Sequence, residues 1–251
     1  VANLERAARD EDGGQRPLAL VELGLDHGRF GAAVRIGAQF HQFGLKQDLL
    51  DQLVQQEVDQ KHHKRTQMHL RLSKLRYAAQ LEEIKCSQER NLSAEQISLL
   101  ADCSWVKRAQ NLLITGATGC GKSFLACALG HQACLYGYKT SYMNMNRFIE
   151  KITLAKLDGT FVKLLNQIEK THLLILDDFG LQPLNADTRM ALLQILEDRY
   201  QRKATLISSQ IPVAQWHAYI GDPTLADAIL DRLLTNSQKI ELKGKSLRHQ
   251  K

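Results

Sequence analysis

Eight consecutive residues carry the clearest chemistry in this chain of 251 residues. Gly116-Ala117-Thr118-Gly119-Cys120-Gly121-Lys122-Ser123 has the spacing G-x-x-x-x-G-K-[ST]. Glycines at those positions let the backbone turn tightly, so that successive N–H groups point at one centre and cradle a phosphate. Lys122 stands where an ammonium reaches β- and γ-phosphate oxygens, and the Ser123 hydroxyl is placed to ligate Mg²⁺. A chance glycine-rich turn would share the composition but not the context. Here a buried-strand run, Asn111-Leu112-Leu113-Ile114-Thr115, leads into the loop, and a helical pattern opens at Lys122. The implied ligand is ATP with Mg²⁺.

Such a loop needs a carboxylate from another buried strand. Leu173-Leu174-Ile175-Leu176-Asp177-Asp178 supplies four apolar residues and then two acids. Asp177 is expected to hold the magnesium, directly or through water, and Asp178 to orient or deprotonate the attacking water. Two aspartates alone also fit a solvated strand end or a helix cap. Following the loop at the end of a buried strand, they make ATP hydrolysis the expected reaction.

The elements that must position these groups follow from periodicity. Strands are expected at 111–115, 139–143, 172–177, 204–208 and 239–242, with a helix from Lys122 to about Tyr136 closed by Gly137. Strands separated by helices imply a parallel sheet covered on both faces. Residues 45–110 read as helical: Leu45, Leu49, Leu50, Leu53, Val54 and Val58 recur near helical spacing. Ser93 and Gln96 form a capping box, opening a helix that should carry Ile97, Leu99 and Leu100 toward Trp105. Residues 1–44 hold seven of the sixteen glycines without sustained periodicity, and read as a poorly ordered or atypical extension.

Composition excludes several classes. No apolar run approaches the roughly 20 residues that span a bilayer, and the amino terminus has no basic region followed by an apolar core. Five cysteines without a Cys-x-x-Cys pair suit a reducing cytoplasm, with Cys127 and Cys134 as core residues on one helix face. The net charge of +6 favours a polyanionic partner. Basic residues concentrate in Lys61, Lys64, Arg65, Arg71, Lys74 and Arg76, and again in Lys239, Lys243, Lys245, Arg248 and Lys251. A solvated helix face is the competing reading of the first group. His62 and His63 are adjacent and diverge on a helix, which argues against a metal site. Trp105 and Trp216 read as core or subunit-contact residues.

From Asn111 to about Arg248 the chain resembles the IstB-like ATPases, transposition helper proteins of insertion sequences and relatives of the DnaC helicase loaders in the AAA+ class. The resemblance rests on Asn111–Gly116, Ala126-Cys127-Ala128-Leu129-Gly130-His131-Gln132-Ala133 and Leu174-Ile175-Leu176-Asp177-Asp178-Phe179-Gly180. Leu196-Glu197-Asp198-Arg199-Tyr200 and Gly221-Asp222-Pro223-Thr224-Leu225-Ala226-Asp227-Ala228-Ile229-Leu230-Asp231-Arg232-Leu233 extend it. It implies an AAA+ P-loop fold: a central parallel five-stranded sheet flanked by helices, preceded by a small helical amino-terminal region. Residues 111–251 would be the ATPase domain, with the 204–208 strand inserted between the loop strand and the Asp177 strand. Residues 45–110 would serve DNA contact or self-assembly. The resemblance also makes Ser209, within Ser208-Ser209-Gln210, the sensor of the γ-phosphate. Arg232 becomes an arginine finger reaching a neighbouring subunit, so that the active form is a homo-oligomer; an ion pair with Asp227 or Asp231 is the plainer reading of that arginine.

The function implied is a cytoplasmic DNA-dependent ATPase that oligomerises on duplex DNA, gripping phosphates without reading sequence, and assists the transposase of its own element. Two other readings stay open: a DnaC-like loader of a replicative helicase on single-stranded DNA, and a remnant that binds nucleotide without hydrolysing it.

Overall fold

The computed structural model describes residues 47–247. The glycine-rich stretch 1–44, Leu45, Arg248 and Lys251 lie outside the described residues, as do the side chains of Leu49, Leu50 and Leu53. The chain divides into two compact units, Val1–Lys61 and His62–Lys251.

In the first unit the described residues are the opening turns of helix α1 (Gln47–Ser73). Val54 is exposed there, Gln55 donates to Asp59, and Lys61 pairs with Glu57 one turn back. The second unit begins with the rest of α1, which buries Thr66, His69 and Ser73. Lys74, at a φ of 54°, ends the helix. The expected helical reading of 45–110 fails over 74–92, which is irregular apart from two short 3-10 turns. Ala79, Leu81 and Leu92 are buried, pinning that irregular segment to the core.

Helix α2 (Ala94–Ala101) opens on the expected capping box, Ser93 accepting from Gln96 N while the Gln96 side chain accepts from Ser93 N. Ile97 and Leu100 turn inward, but Leu99 is 73% exposed, since residues three apart share a helix face and their neighbour does not. A short helix, α3 (Ser104–Lys107), sets Trp105 in the core, its Nε1–H donating to Leu100 O.

The core of the second unit is one parallel sheet. Its strands are β1 (Asn111–Gly116), β2 (Thr140–Asn144), β3 (Leu173–Phe179), β4 (Ala204–Ser209) and β5 (Ser237–Leu242), in the order β2-β3-β4-β1-β5. β4 lies between the loop strand and the acidic strand, as the resemblance implied. Successive residues of a strand face opposite ways, so an all-apolar strand feeds two cores. Leu112, Ile114, Ile175 and Leu206 pack toward α4 (Lys122–Leu135), with Cys127 and Trp105. Leu113, Leu174, Leu176 and Ile207 form the other layer with Phe148, Leu192, Trp216 and Ile229. These come from α5 (Met145–Leu157), α7 (Ala186–Arg199), α8 (Trp216–Ile220) and α9 (Pro223–Leu234), while α6 (Phe161–Glu169) adds Leu165 and Ile168. Burial pushes the thiols of Cys103, Cys127 and Cys134 up, which fits inert core residues. Among the described residues no helix is long and apolar enough to cross a membrane.

A parallel sheet gathers all its strand ends at one edge. The glycine loop and the end of the strand that carries Asp177-Asp178 therefore lie together there.

Candidate nucleotide-binding site

The loop leaves β1 at Gly116, whose φ is 147°. A Cβ there would sit 2.2 Å from the Leu242 carbonyl oxygen of β5, so only glycine fits unless the edge strand shifts. The loop ends at Gly121, in the left-handed region at φ 93°, where it turns into α4. That turn leaves the first N–H groups of a 14-residue helix facing the cradle. Lys122 is 6% exposed, and its Nζ donates to Gly116 O (2.8 Å) and Ala117 O (2.9 Å). The ammonium is folded onto the loop's own carbonyls, at the centre a phosphate would share.

Beside the loop lies a cavity of about 330 Å³, within the roughly 300–1,000 Å³ usual for small-molecule sites. Thr118, Gly119, Gly121, Lys122 and Ser123 form its loop wall, and Asp178 and Gln210 enter from the ends of β3 and β4. Tyr77, Ile84, Phe124 and Leu247 line it with apolar surface, the rings of Tyr77 and Phe124 being 6.1 Å apart.

The two aspartates part company. Asp177 is fully buried and absent from the cavity wall; its Oδ2 accepts from Tyr142 OH (2.6 Å) and its Oδ1 from Ser208 Oγ. Burial, reinforced by that bond to Asp177, pushes the Tyr142 phenol up and keeps it a donor. Asp178 lines the cavity because β3 breaks its alternation here. Its φ is 62°, and the β3–β4 register shifts between Leu176 and Phe179. Arg76, at the end of the basic stretch, stands 3.7 Å from the Asp178 carboxylate. For Mg²⁺ the donor chemistry fits: the wall presents a hydroxyl at Ser123 and a carboxylate at Asp178, hard oxygens of the kind that ion takes, with a second carboxylate beneath.

Like Asp177, the expected site residues Ser209 and Arg232 are not on the cavity wall. Ser209 is buried, its Oγ donating to Phe179 O (2.6 Å) and accepting from Ile211 N. The polar side chain that this strand end presents is Gln210, whose Oε1 accepts from Thr118 Oγ1 at 2.6 Å. Arg232 lies on α9, paired with Glu197 (2.8 Å) and Asp231 (2.7 Å), over the ring of Tyr200. Its carbonyl accepts from Asn111 Nδ2 at the start of β1, the end of that strand opposite the loop. Asp227 pairs instead with His217.

Sequence reasoning missed the apolar wall. Tyr77, Ile84 and Leu247 are single residues in irregular segments and carry no motif. The tail, expected to extend a basic surface, is partly engaged elsewhere. Lys243 N donates to Arg90 O, Leu247 N donates to Gly119 O, and a Cβ on Gly119 would strike Ser246. Arg90 in turn donates to Cys120 O (3.0 Å), so this side of the loop is braced from two segments.

Comparison with known proteins agrees with this geometry. The family of IstB-like ATP binding proteins matches residues 29–251. An insertion sequence ATP-binding protein of Sinorhizobium fredii is 44% identical over 196 residues, covering 78% of this chain and 80% of its own. The IS21 insertion sequence ATP-binding protein of Pseudomonas aeruginosa is 30% identical over 201 residues, covering 80% of this chain and 76% of its own. Among solved structures, the DnaC helicase loader superposes with a TM-score of 0.54 at 18% identity, over 66% of this chain and 98% of that one. AMPPCP-bound DnaA from Aquifex aeolicus gives 0.55 at 20%, over 68% of this chain and 51% of that one. These two likenesses establish the fold, that of the AAA+ P-loop proteins. The chain belongs to the family of IstB-like ATP binding proteins.

Proposed function

We propose that this protein is a DNA-dependent ATPase that oligomerises on duplex DNA and assists the transposase of an insertion sequence. The observation that carries the ATPase reading is the single cavity wall shared by Lys122, Ser123, Asp178 and Gln210. ATP lies with its phosphates on the loop N–H groups and its base against Tyr77, Ile84 and Leu247. Lys122 leaves the carbonyls of Gly116 and Ala117 for the β- and γ-phosphate oxygens. Asp178 takes the proton of a water whose oxygen attacks the γ-phosphorus; the bond to the β–γ bridging oxygen breaks, and ADP departs with that electron pair. Gln210, in place of Ser209, positions the water or the γ-phosphate. A magnesium ion would be held by Ser123 and the acidic pair, Asp177 fixed from below by Tyr142 and Ser208, and it would neutralise charge on the phosphate oxygens. Arg232 acts only on a neighbouring copy, releasing Glu197 and Asp231 to do so.

DNA dependence has a physical route in Arg76. It joins the basic segment of α1 to the Asp178 carboxylate, so phosphates that draw on that segment change the surroundings of the general base. The names of the relatives tie such proteins to insertion sequences, which favours a transposase as partner over a helicase. The test is steady-state ATP turnover with duplex and with single-stranded DNA. Stimulation by duplex supports the helper, whereas a strong single-strand preference would turn the assignment toward helicase loading.

A further inference from the structure

The edge of the sheet away from the ATP cavity holds a second constellation, one that no sequence motif marks. Thr140 pairs with Leu173, and Leu173 with Ala204. The residues one step upstream are Lys139, His172 and Lys203, so three neighbouring parallel strands each begin just after a basic residue. The pairing continues through them, since His172 N donates to Lys139 O (2.8 Å) and Ala204 N to His172 O (3.1 Å). Strands lie about 4.8 Å apart, so the row spans roughly 10 Å. His172 Nδ1 accepts from Lys139 N, which leaves the proton on Nε2 as a donor even when the ring is neutral.

Helix α1 adds Arg65 and His69. His69 is 5% exposed, and its Nδ1 has no hydrogen-bond partner. Burial lowers the pKa of both histidines, and the charges acting on them are cationic: Arg65 and Lys139 on His69, with Lys203 added on His172. Among the described residues no carboxylate forms an ion pair with Arg65, Lys139 or Lys203. Like charges gathered without counter-charge cost stability, and a bound polyanion would offset that cost.

We propose that the row Lys139-His172-Lys203, with Arg65 on α1, is a binding site for the phosphodiester backbone of duplex DNA. The row is half-exposed and elongated, which suits consecutive phosphates better than one enclosed anion. It holds backbone and no base edge, so the contact is indifferent to sequence. The site deepens the functional reading above, placing DNA on the ATPase body as well as on the amino-terminal helix.

The test uses the full chain with ATP and a fluorescein-labelled duplex of random sequence, with affinity followed by anisotropy across KCl concentrations. Each neutralised phosphate contributes about 0.9 to the slope of log affinity against log salt. Lys139→Ala/Lys203→Ala should therefore lower the slope by about 1.8, each single variant by about half of that, and Lys139→Arg/Lys203→Arg should restore it. Lys163→Ala, an exposed lysine of α6, should leave it unchanged, and all variants should bind ATP as the parent does. An unchanged slope in the double alanine variant, with ATP affinity intact, overturns the site alone. That outcome would turn the row toward docking an acidic protein instead. A parent chain that binds no duplex under any condition overturns the site and the DNA reading together.

Discussion

The two edges of the sheet are built on the same plan with opposite charge. At the carboxyl edge a buried anion, Asp177, lies under a cavity suited to Mg²⁺ and phosphates, held by the hydroxyls of Tyr142 and Ser208. At the amino edge a buried cation, Arg199, lies under the basic row. It is 2% exposed and donates to Ile168 O and Thr171 O, to Thr205 Oγ1, to His172 O and to Ala204 O. Burial pushes its guanidinium down to about 9, which still leaves it charged near neutrality. Each strut ties together neighbouring strands beneath the exposed groups, Asp177 through two side-chain hydroxyls and Arg199 chiefly through backbone carbonyls. The difference lies in how the exposed groups are delivered: one continuous loop at the carboxyl edge, three separate strand starts at the other.

The comparison can be broken by removing either strut. Arg199→Leu should show the larger effect, about 3–5 kcal/mol of unfolding free energy, because it strips several buried carbonyls of their donor. Urea unfolding followed by circular dichroism measures it, and a loss below about 1 kcal/mol would mean the guanidinium is not a strut. Tyr142→Phe should cost less, about 1–3 kcal/mol, since Asp177 keeps Ser208 and loses one bond. The same unfolding curves check it, and a neutral substitution would show that Asp177 needs no fixing from β2.

That difference in delivery decides what the sequence reveals. The loop and Asp177-Asp178 are contiguous, so their spacing alone locates the cavity, and apolar strands separated by helices imply the parallel sheet. Only the resemblance implies the placement of β4, since no periodicity states which strands adjoin. The turn at Asp178 was not legible: an aspartate at positive φ looks like any other, and the bulge that aims it depends on pairing with β4. Within Ser208-Ser209-Gln210, Ser208 turns to Asp177, Ser209 to Phe179 and Gln210 to the cavity, and only the register distinguishes them. Leu247 was hidden because its role depends on the tail crossing back to Gly119. Lys139, His172 and Lys203 lie 31 or more residues apart, and only strand order makes them neighbours.

ATP turnover of the full chain with duplex DNA, set beside Lys122→Ala and Asp178→Asn, tests the central claim most directly. The account predicts that the unmutated protein hydrolyses ATP and that Asp178→Asn still binds it while turning over about 10²–10⁴ times more slowly. Lys122→Ala should lose both binding and turnover. An unmutated chain no faster than these two variants under every DNA condition would contradict the account, leaving a protein that binds nucleotide without hydrolysing it.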